Sequence, residues 1–231
     1  KSMGSGAIRG DGEVVGIALA VDGWSGYFPF GHEGGGNLDK NIIIDWFTEV
    51  CATRATKIFH NAMYDVSWIR AMGIKINGRI IDTMIAASLV DENRWGFTLD
   101  GVAKQYVGSG KNEKMLVEAA KAWGVDPKAD MWRLPSVFVG AYAEKDAEVT
   151  LKLWHAIEQE IEKQELHDVF NLEIDLFPCL VDMRFKGVRV DIDKAHDTRK
   201  KLQQTELRLT TEINKLAGGD VEIWSAHSIA K

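Results

Sequence analysis

The sequence predicts an α/β protein in which helices pack on a mixed sheet, followed by a short all-helical extension. Three observations support this prediction. Short apolar runs alternate with helical patterns over residues 1–165, an order typical of α/β folds. Two of these runs flank a glycine-containing turn near the start of the chain, which indicates a hairpin. From residue 166 onward the pattern is mostly helical. We therefore expect one α/β domain over residues 1–165 and a linker with further helices over residues 166–231.

The predicted strands are short, apolar and bounded by glycine or by the start of a helix. Gly23 and Gly26 surround the turn of the expected hairpin. The predicted strands are Val14–Val21, Tyr27–Phe30, Lys57–His60 and Arg79–Ile81, with a further short strand in the segment Gly187–Asp191.

The predicted helices follow apolar positions spaced three and four residues apart. The longest has an apolar stripe of Val149, Leu153, Ile157 and Ile161. Asp82 and Ser136 are expected to cap helices, because their side chains can accept hydrogen bonds from free backbone N–H groups. The predicted helices are Ile42–Val50, Asn61–Met72, Asp82–Leu89, Thr98–Val107, Glu113–Trp123, Ser136–Lys163, Leu166–Phe185 and Asp193–Ala217.

Composition narrows the possible functions. The 231 residues carry a formal charge of −6, which argues against a uniformly basic surface that wraps nucleic acid. A nuclease with a cluster of carboxylates remains compatible with this charge. No apolar run approaches the roughly 18–20 residues of a membrane span, so we expect no membrane contact. Cys51 and Cys179 suggest neither a disulfide framework nor a zinc site, and we expect both to be core thiols in a reducing compartment.

Two pairs of polar residues stand out as candidates for chemistry. Asn61 and Asp65 follow a predicted strand and are four residues apart, so both side chains project from one face of the first helical turns. Tyr142 and Asp146 have the same spacing within the longest helix. A carboxylate is a hard oxygen ligand suited to Mg²⁺ or Mn²⁺, and a nearby phenol can orient a water molecule. Taken alone, each pair also fits a structural role as a helix cap or a solvated helix face.

In order and at this spacing, these pieces resemble the DEDDy 3′–5′ exonucleases, in particular the proofreading domain of family A DNA polymerases. Asn61-x-x-Tyr64-Asp65 after a strand resembles the second exonuclease motif, and Tyr142-x-x-x-Asp146 resembles the third. The intervening segments Asp82-Thr83-Met84 and Thr98-Leu99-Asp100 also resemble that domain, while Asp82 by itself is most simply a helix cap. The tail Met183-x-x-x-Gly187-Val188-x-Val190-Asp191, with the long polar helix after it, is similar to the segment that leads into the polymerase thumb.

The resemblance implies a ribonuclease-H-like mixed sheet and phosphodiester hydrolysis with two Mg²⁺ or Mn²⁺ ions. Transferred to this chain, Asp146 would bind the ion that activates water, Tyr142 would position that water, and Asp65 would support the second ion. Asn61 would help to hold the strand end. Among residues that could contact DNA, Arg133 is the favoured basic candidate. Lys145 and Trp132 are weighed as well, but a solvated helix face and a core position fit them better.

The family's first motif, Asp-x-Glu on the first strand, has no clear counterpart in this sequence. Asp11-Gly12-Glu13 fits the spacing, but these residues lie between glycines at the turn into a strand. We therefore expect the first strand and its motif to lie upstream of Lys1, or the sheet to be rearranged. Without those two carboxylates we expect weak metal binding and poor cleavage.

Several alternatives stay open at this point. The leading hypothesis is a proofreading exonuclease that acts on a single-stranded DNA 3′ end beside the polymerase domain of the same parent chain. An RNA-trimming relative of the same fold is a second enzymatic interpretation. A catalytically inactive DNA-binding or structural module is a third. For all three we expect a monomer in the cytoplasm of a bacterium or of a phage-infected host.

Overall fold

A computed structural model describes residues 6–108 and 114–230 of the chain. The chain forms two compact units, one ending at Phe185 and one beginning at Lys186. The first unit is α/β and the second is helical, as predicted.

The four strands predicted for the first domain are confirmed and form two pairs. They are β1 (Gly16–Val21), β2 (Trp24–Pro29), β3 (Lys57–Phe59) and β4 (Ile80–Asp82). Strands β1 and β2 form an antiparallel hairpin in which Gly16 lies opposite Pro29. Strands β3 and β4 are parallel, with Phe59 opposite Asp82. Both members of the second pair therefore end at the same edge, directly before a helix.

Apart from α1, which was not predicted, the helices of the first unit follow the predicted pattern closely. They are α1 (Gly6–Arg9), α2 (Lys40–Ala52), α3 (Ala62–Ala71), α4 (Thr83–Val90), α5 (Leu99–Tyr106), α6 (Lys114–Trp123), α7 (Ser136–Lys163) and α8 (His167–Lys186). Glu113, the predicted first residue of α6, lies outside the described residues.

Helix α7 is the central element of the first unit. It contacts β1, β2 and β3 as well as α4, α5 and α6. Its predicted apolar stripe is confirmed, because Val149, Leu153, Ile157 and Ile161 are all buried. These residues pack with the small side chains of α4 and α5 in one core. The helix that carries Tyr142 and Asp146 is therefore fixed by an extended apolar core.

Helix α8 completes the first unit beyond the predicted domain boundary near residue 165. Phe170 and Ile174 join the core around α7, whereas Phe177 and Val181 pack against α3 through Ala62. The break between α7 and α8 lies at residues 164–166, close to the predicted boundary, but the compact unit continues to Phe185.

The second unit contains α9 (Ile192–Ala217) and α10 (Ala226–Ile229). Asp191 caps α9 by accepting a hydrogen bond from Lys194 N, and Gly218 ends the helix with φ of 72°. The strand predicted within Gly187–Asp191 is wrong, since the backbone there forms no ladder. A strand needs a neighbour to pair with, and the described part of this unit provides only helices and turns.

Two local predictions in the first unit are also wrong. Pro135, not Ser136, is the N-cap of α7, because the Ser136 hydroxyl instead donates to Gly36 O at 2.9 Å. Cys51 is buried as predicted, but Cys179 is exposed. Cys179 does not lie on the face of α8 that carries the buried residues Phe177 and Val181, and its side chain is therefore exposed to solvent. Across the described ranges, no helix has the length and apolar character that crossing a membrane requires.

Candidate functional site

The junction between β3 and α3 has an unusual backbone conformation at Asn61. Its φ of 63° and ψ of 53° place it in the left-handed region, which few residues other than glycine adopt and which asparagine tolerates best. The Asn61 side chain makes no capping hydrogen bond and is exposed. Asn61 thus occupies the N-cap position of α3 without a side-chain capping bond, so the alternative structural role of a side-chain helix cap is not realised.

Asp82 holds this junction from the neighbouring strand. One carboxylate oxygen accepts hydrogen bonds from Asn61 N and Met84 N at 2.9 Å each, and the other accepts one from Ala62 N at 2.8 Å. Asp82 is only 3% exposed, and a buried carboxylate is stable when N–H donors satisfy it. The predicted cap of α4 is confirmed, and the same side chain also fixes the left-handed turn before α3.

Asp65 lies in the first turn of α3, four residues after Asn61. The pKa of Asp65 is raised to about 7, mainly by burial; a backbone hydrogen bond opposes this rise, and the negative charge of Asp82 adds to it. A carboxyl group with such a pKa is poised between its two protonation states at neutral pH. Perturbed carboxyl groups of this kind are concentrated at functional sites, and a bound cation would favour the ionised form.

Tyr142 and Asp146 lie four residues apart in the N-terminal half of α7, and both are half-buried. Tyr142 packs against the cluster formed by Leu116, Leu134 and Val139. Asp146 lies one turn before Thr150, whose hydroxyl donates to the Asp146 carbonyl at 2.8 Å. Tyr142 and Asp146 therefore lie just before the part of α7 whose apolar stripe, from Val149 to Ile161, is buried.

A hydrogen-bonded pair of half-buried Tyr27 and buried His32 fixes the segment that leads into α7. The Nδ1 atom of His32 donates to Leu134 O at 3.0 Å, so the neutral ring accepts at Nε2 from the Tyr27 hydroxyl at 2.6 Å. Burial lowers the pKa of His32, which favours this neutral form. A side chain at Gly34 would place a Cβ 2.3 Å from Pro135 N. The glycine loop and the entrance to α7 thus pack backbone against backbone.

The remaining predicted contacts lie around the same entrance. Arg133 ends the 3₁₀ turn Met131–Arg133, and its Nε lies 3.6 Å from a carboxylate oxygen of Glu33. Trp132 is half-buried rather than part of the core. Lys145 pairs with Glu148 at 3.1 Å along α7, which matches the structural role expected for it.

The structure places the two candidate pairs on helices that both contact β3. Within residues 6–108 and 114–230, no group of three or more His, Cys, Asp or Glu side chains is arranged to hold a metal ion. Asp11 and Glu13 are exposed and lie outside any strand, in agreement with their rejection as the first motif. Asp65 and Asp146 offer hard oxygen donors, the chemistry that Mg²⁺ or Mn²⁺ requires, but not the full ligand set of two ions.

Sequence reasoning missed two positioning groups. The pair Tyr27–His32 could not be found by sequence pattern, since Leu134, the hydrogen-bond partner of His32, is 102 residues away. His60 directly precedes the Asn61-x-x-Tyr64-Asp65 motif, and no role was predicted for it. Its Nε2 donates to Phe97 O at 2.8 Å, and its Nδ1 shares a hydrogen bond with the Thr83 hydroxyl at 2.8 Å.

Comparison with known proteins gives a family match over the region just described. The model of the family described as 3′–5′ exonuclease matches residues 32–162, more than half of the 231 residues. The matched region contains both candidate pairs and Asp82.

Curated relatives extend the similarity over the rest of the chain. The DNA-directed DNA polymerase of Pseudomonas phage M6 is 32% identical over 100% of this chain and 36% of its own length. DNA polymerase DpoZ of Acinetobacter phage SH-Ab 15497 is 35% identical over 77% of this chain and 30% of its own length. The chain thus spans about a third of the length of these relatives.

A solved structure supports the fold. The structure described as the POL domain of Pol1 from M. smegmatis in complex with DNA primer-template and dNTP matches 94% of this chain and 33% of that chain. The TM-score is 0.65 at 18% sequence identity, so the likeness concerns the fold alone. The predicted α/β class with a helical extension is confirmed, and the match is consistent with a ribonuclease-H-like arrangement.

Proposed function

Because the chain belongs to the 3′–5′ exonuclease domain family of family A DNA polymerases, we propose that it removes nucleotides from DNA 3′ ends with Asp65, Tyr142 and Asp146 at its active site. The observation that carries this proposal is that the family match covers residues 32–162 and so includes both halves of the candidate site. Membership makes the chain a hydrolase by family. The assignment of individual residues is our proposal.

The proposed cofactor is a pair of Mg²⁺ or Mn²⁺ ions, with Asp65 and Asp146 among their ligands. Such ions supply an activated water and a clamp on the leaving oxygen during phosphodiester hydrolysis. The donor chemistry of the two carboxylates fits these ions. In Asp65, the burial that raises the pKa also disfavours an isolated negative charge, and a cation nearby would offset that cost.

The chain's own side chains would orient the substrate and the attacking water. Tyr142 is held by the apolar cluster under the start of α7, so its phenol has a fixed position from which to hydrogen-bond a water. The free amide of Asn61 can contact the terminal nucleotide. Arg133 pairs only loosely with Glu33 at 3.6 Å, and a DNA phosphate can compete for the guanidinium.

The biological setting follows from the relatives and is likewise proposed. The matched relatives are phage and bacterial polymerases, which suggests proofreading of a single-stranded 3′ end during DNA replication. In this setting the domain partners the polymerase domain of the same parent chain, acts as a monomer, and works in the cytoplasm of a bacterium or an infected host.

A cleavage assay tests the proposal. The natural full-length protein is incubated with a 5′-labelled single DNA strand and Mg²⁺ or Mn²⁺, and a ladder shortening from the 3′ end is expected. Asp146→Ala should abolish the ladder, whereas Asp175→Ala, an exposed carboxylate on α8, should leave it unchanged. No cleavage by folded protein would contradict the proposal and support a non-catalytic module. Faster trimming of an RNA strand would support the RNA-trimming alternative.

A further inference from the structure

Trp95 has an exposure that is unusual for tryptophan. Its relative accessibility is 103%, so no other part of the described chain covers the indole. Tryptophan is among the most buried residues on average, and Trp154 in the core of the same unit is 7% exposed. Exposing the whole apolar ring to water is unfavourable, and a ligand that covered the ring would recover that free energy.

The loop that carries Trp95, residues 91–97, is braced on both sides. The Arg94 Nε donates to Gly96 O at 2.7 Å, and the same guanidinium donates to the Gln105 side chain on α5. Phe97 packs against the core around α7. The loop backbone is thus tied to the domain while the indole extends into solvent, which limits the ordering cost of binding at this position.

The same loop is attached to the candidate site. The carbonyl of Phe97 accepts a hydrogen bond from His60 Nε2 at 2.8 Å, and His60 directly precedes Asn61. Trp95 is two residues from Phe97, so their Cα atoms lie within about 7 Å of each other. The loop that carries Trp95 is therefore tied to the residue that directly precedes Asn61.

The charges around Trp95 favour a base over a phosphate as its ligand. Asp91 and Glu92 precede it in the loop and would repel a DNA backbone. The only cation of the loop, Arg94, is engaged in bracing it. An aromatic ring can stack on any base without reading its sequence, and single-strand-binding proteins use this interaction widely.

We propose that Trp95 is a stacking platform for one base of the DNA strand whose 3′ end reaches Asn61 and Asp65. This inference rests on the proposed exonuclease function, since it takes single-stranded DNA as the substrate. Trp95 contacts a nucleotide away from the scissile bond. It therefore contributes to strand affinity, and hence to KM, more than to the rate of the chemical step.

Binding in EDTA tests the platform without cleavage. We expect Trp95→Ala to weaken the binding of a fluorescent oligothymidine by about five- to a hundred-fold, as for the loss of one stacked base. Trp95→Phe should retain most of the affinity. The control Trp24→Ala removes another exposed tryptophan, 52% accessible on the hairpin, and should leave binding unchanged. Equal affinities for Trp95→Ala and the unmodified protein would overturn the proposal.

The type of contact is tested by salt and by abasic strands. Stacking displaces no counterions, so Trp95→Ala should lower affinity without changing the slope of log Kd against log salt. Strands with a single abasic position, moved stepwise from the 3′ end, should bind the unmodified protein less tightly at one position. That local loss should be absent in Trp95→Ala. The same loss in both proteins at every position would contradict a stacked base.

Cleavage with Mg²⁺ separates this inference from the proposed function. If the unmodified protein digests the strand and Trp95→Ala has unchanged KM and kcat, the platform fails while the exonuclease function stands. If the unmodified protein binds the strand through Trp95 but digests nothing, the exonuclease function fails while the platform stands.

Discussion

The start of α3 and the N-terminal half of α7 each present a candidate pair of site residues, but different forces hold them. At α3 the backbone depends on one buried carboxylate, Asp82, which accepts three N–H groups. In α7 the helix is held by a stripe of buried aliphatic side chains that runs over four turns. The first support is local and directional, whereas the second is distributed and depends mainly on buried area.

This difference predicts how each half responds to mutation. Removing a directional support leaves specific donors unsatisfied in the interior, and the local geometry is lost at once. Removing one methyl-bearing side chain from a stripe leaves a cavity, while its neighbours keep the helix in place. We therefore expect substitutions at Asp82 to affect the geometry of the site more than comparable substitutions in α7.

The largest expected effect is that of Asp82→Ala. It leaves Asn61 N, Ala62 N and Met84 N without their acceptor. The bond from Ala62 N is buried and the other two are partly buried, and since each lost bond of this kind costs about 1–3 kcal/mol, we expect the free energy of unfolding to fall by about 3–5 kcal/mol. Urea denaturation measures this change. The control Asp39→Ala removes the exposed cap of α2, which accepts from two N–H groups, and should cost about 1 kcal/mol. Equal losses of unfolding free energy in the two variants would contradict the proposed support of the turn by Asp82.

The next effect is that of Leu153→Ala in the buried stripe of α7. Leu153 is fully buried, so the cavity should lower the free energy of unfolding by about 3 kcal/mol. Leu172→Ala on α8, where the side chain is 66% exposed, is the matched control and should cost less than about 0.5 kcal/mol. At temperatures where Leu153→Ala remains folded, its cleavage should exceed that of Asp82→Ala. The reverse order would show that the geometry of the site depends more on the buried stripe of α7 than on Asp82.

The two halves also differ in how far the sequence predicts them. The stripe and the spacing of Tyr142 and Asp146 follow from helical periodicity, a local property that can be read along the chain. The phase of α8 was less clear from sequence, and Cys179 was placed in the core although it is exposed. Ser136 was expected to cap its own helix, but its hydroxyl is used 100 residues away at Gly36 O.

The α3 half depends on contacts between distant residues. Asp82 was correctly identified as a cap of its own helix, but its bonds to a turn 21 residues earlier have no local signature. The left-handed conformation of Asn61 likewise depends on the folded turn and could not be predicted from the local sequence. What the sequence could not provide was therefore the set of long-range polar contacts, since these depend on the folded positions of both partners.

A smaller, pH-dependent effect is expected at Asp65. Folding raises the pKa of this carboxyl from 3.8 to about 7, so the folded protein holds the proton more tightly than the unfolded chain. The resulting stabilisation is complete below about pH 4 and is lost as the pH rises towards 7. Asp65→Asn stays neutral throughout. In EDTA we expect its Tm to exceed that of the unmodified protein by a margin that grows from pH 5 to pH 8, to about 2–4 °C.

Glu148→Gln is the opposite-sign control for Asp65→Asn. Hydrogen bonds from Lys152 and Lys145 lower the pKa of Glu148, so its stabilisation is present above pH 4.5 and is lost only as the pH falls below that value. The difference in Tm between Glu148→Gln and the unmodified protein should therefore stay level from pH 5 to pH 8. A level difference for Asp65→Asn over the same range would show that folding does not raise the pKa of Asp65.

The smallest effect should separate the backbone of Asn61 from its side chain. A glycine at position 61 adopts the left-handed conformation without strain but loses more entropy on folding, so Asn61→Gly should change the free energy of unfolding by less than about 0.5 kcal/mol. Asn61→Ala must keep a Cβ in that conformation and should cost about 1 kcal/mol. Both variants lack the amide, so both should weaken the binding of a single DNA strand equally if the side chain contacts the substrate. The opposite result would be that Asn61→Gly binds the DNA strand as tightly as the unmodified protein while Asn61→Ala binds it less tightly. That result would confine the role of Asn61 to shaping the turn before α3.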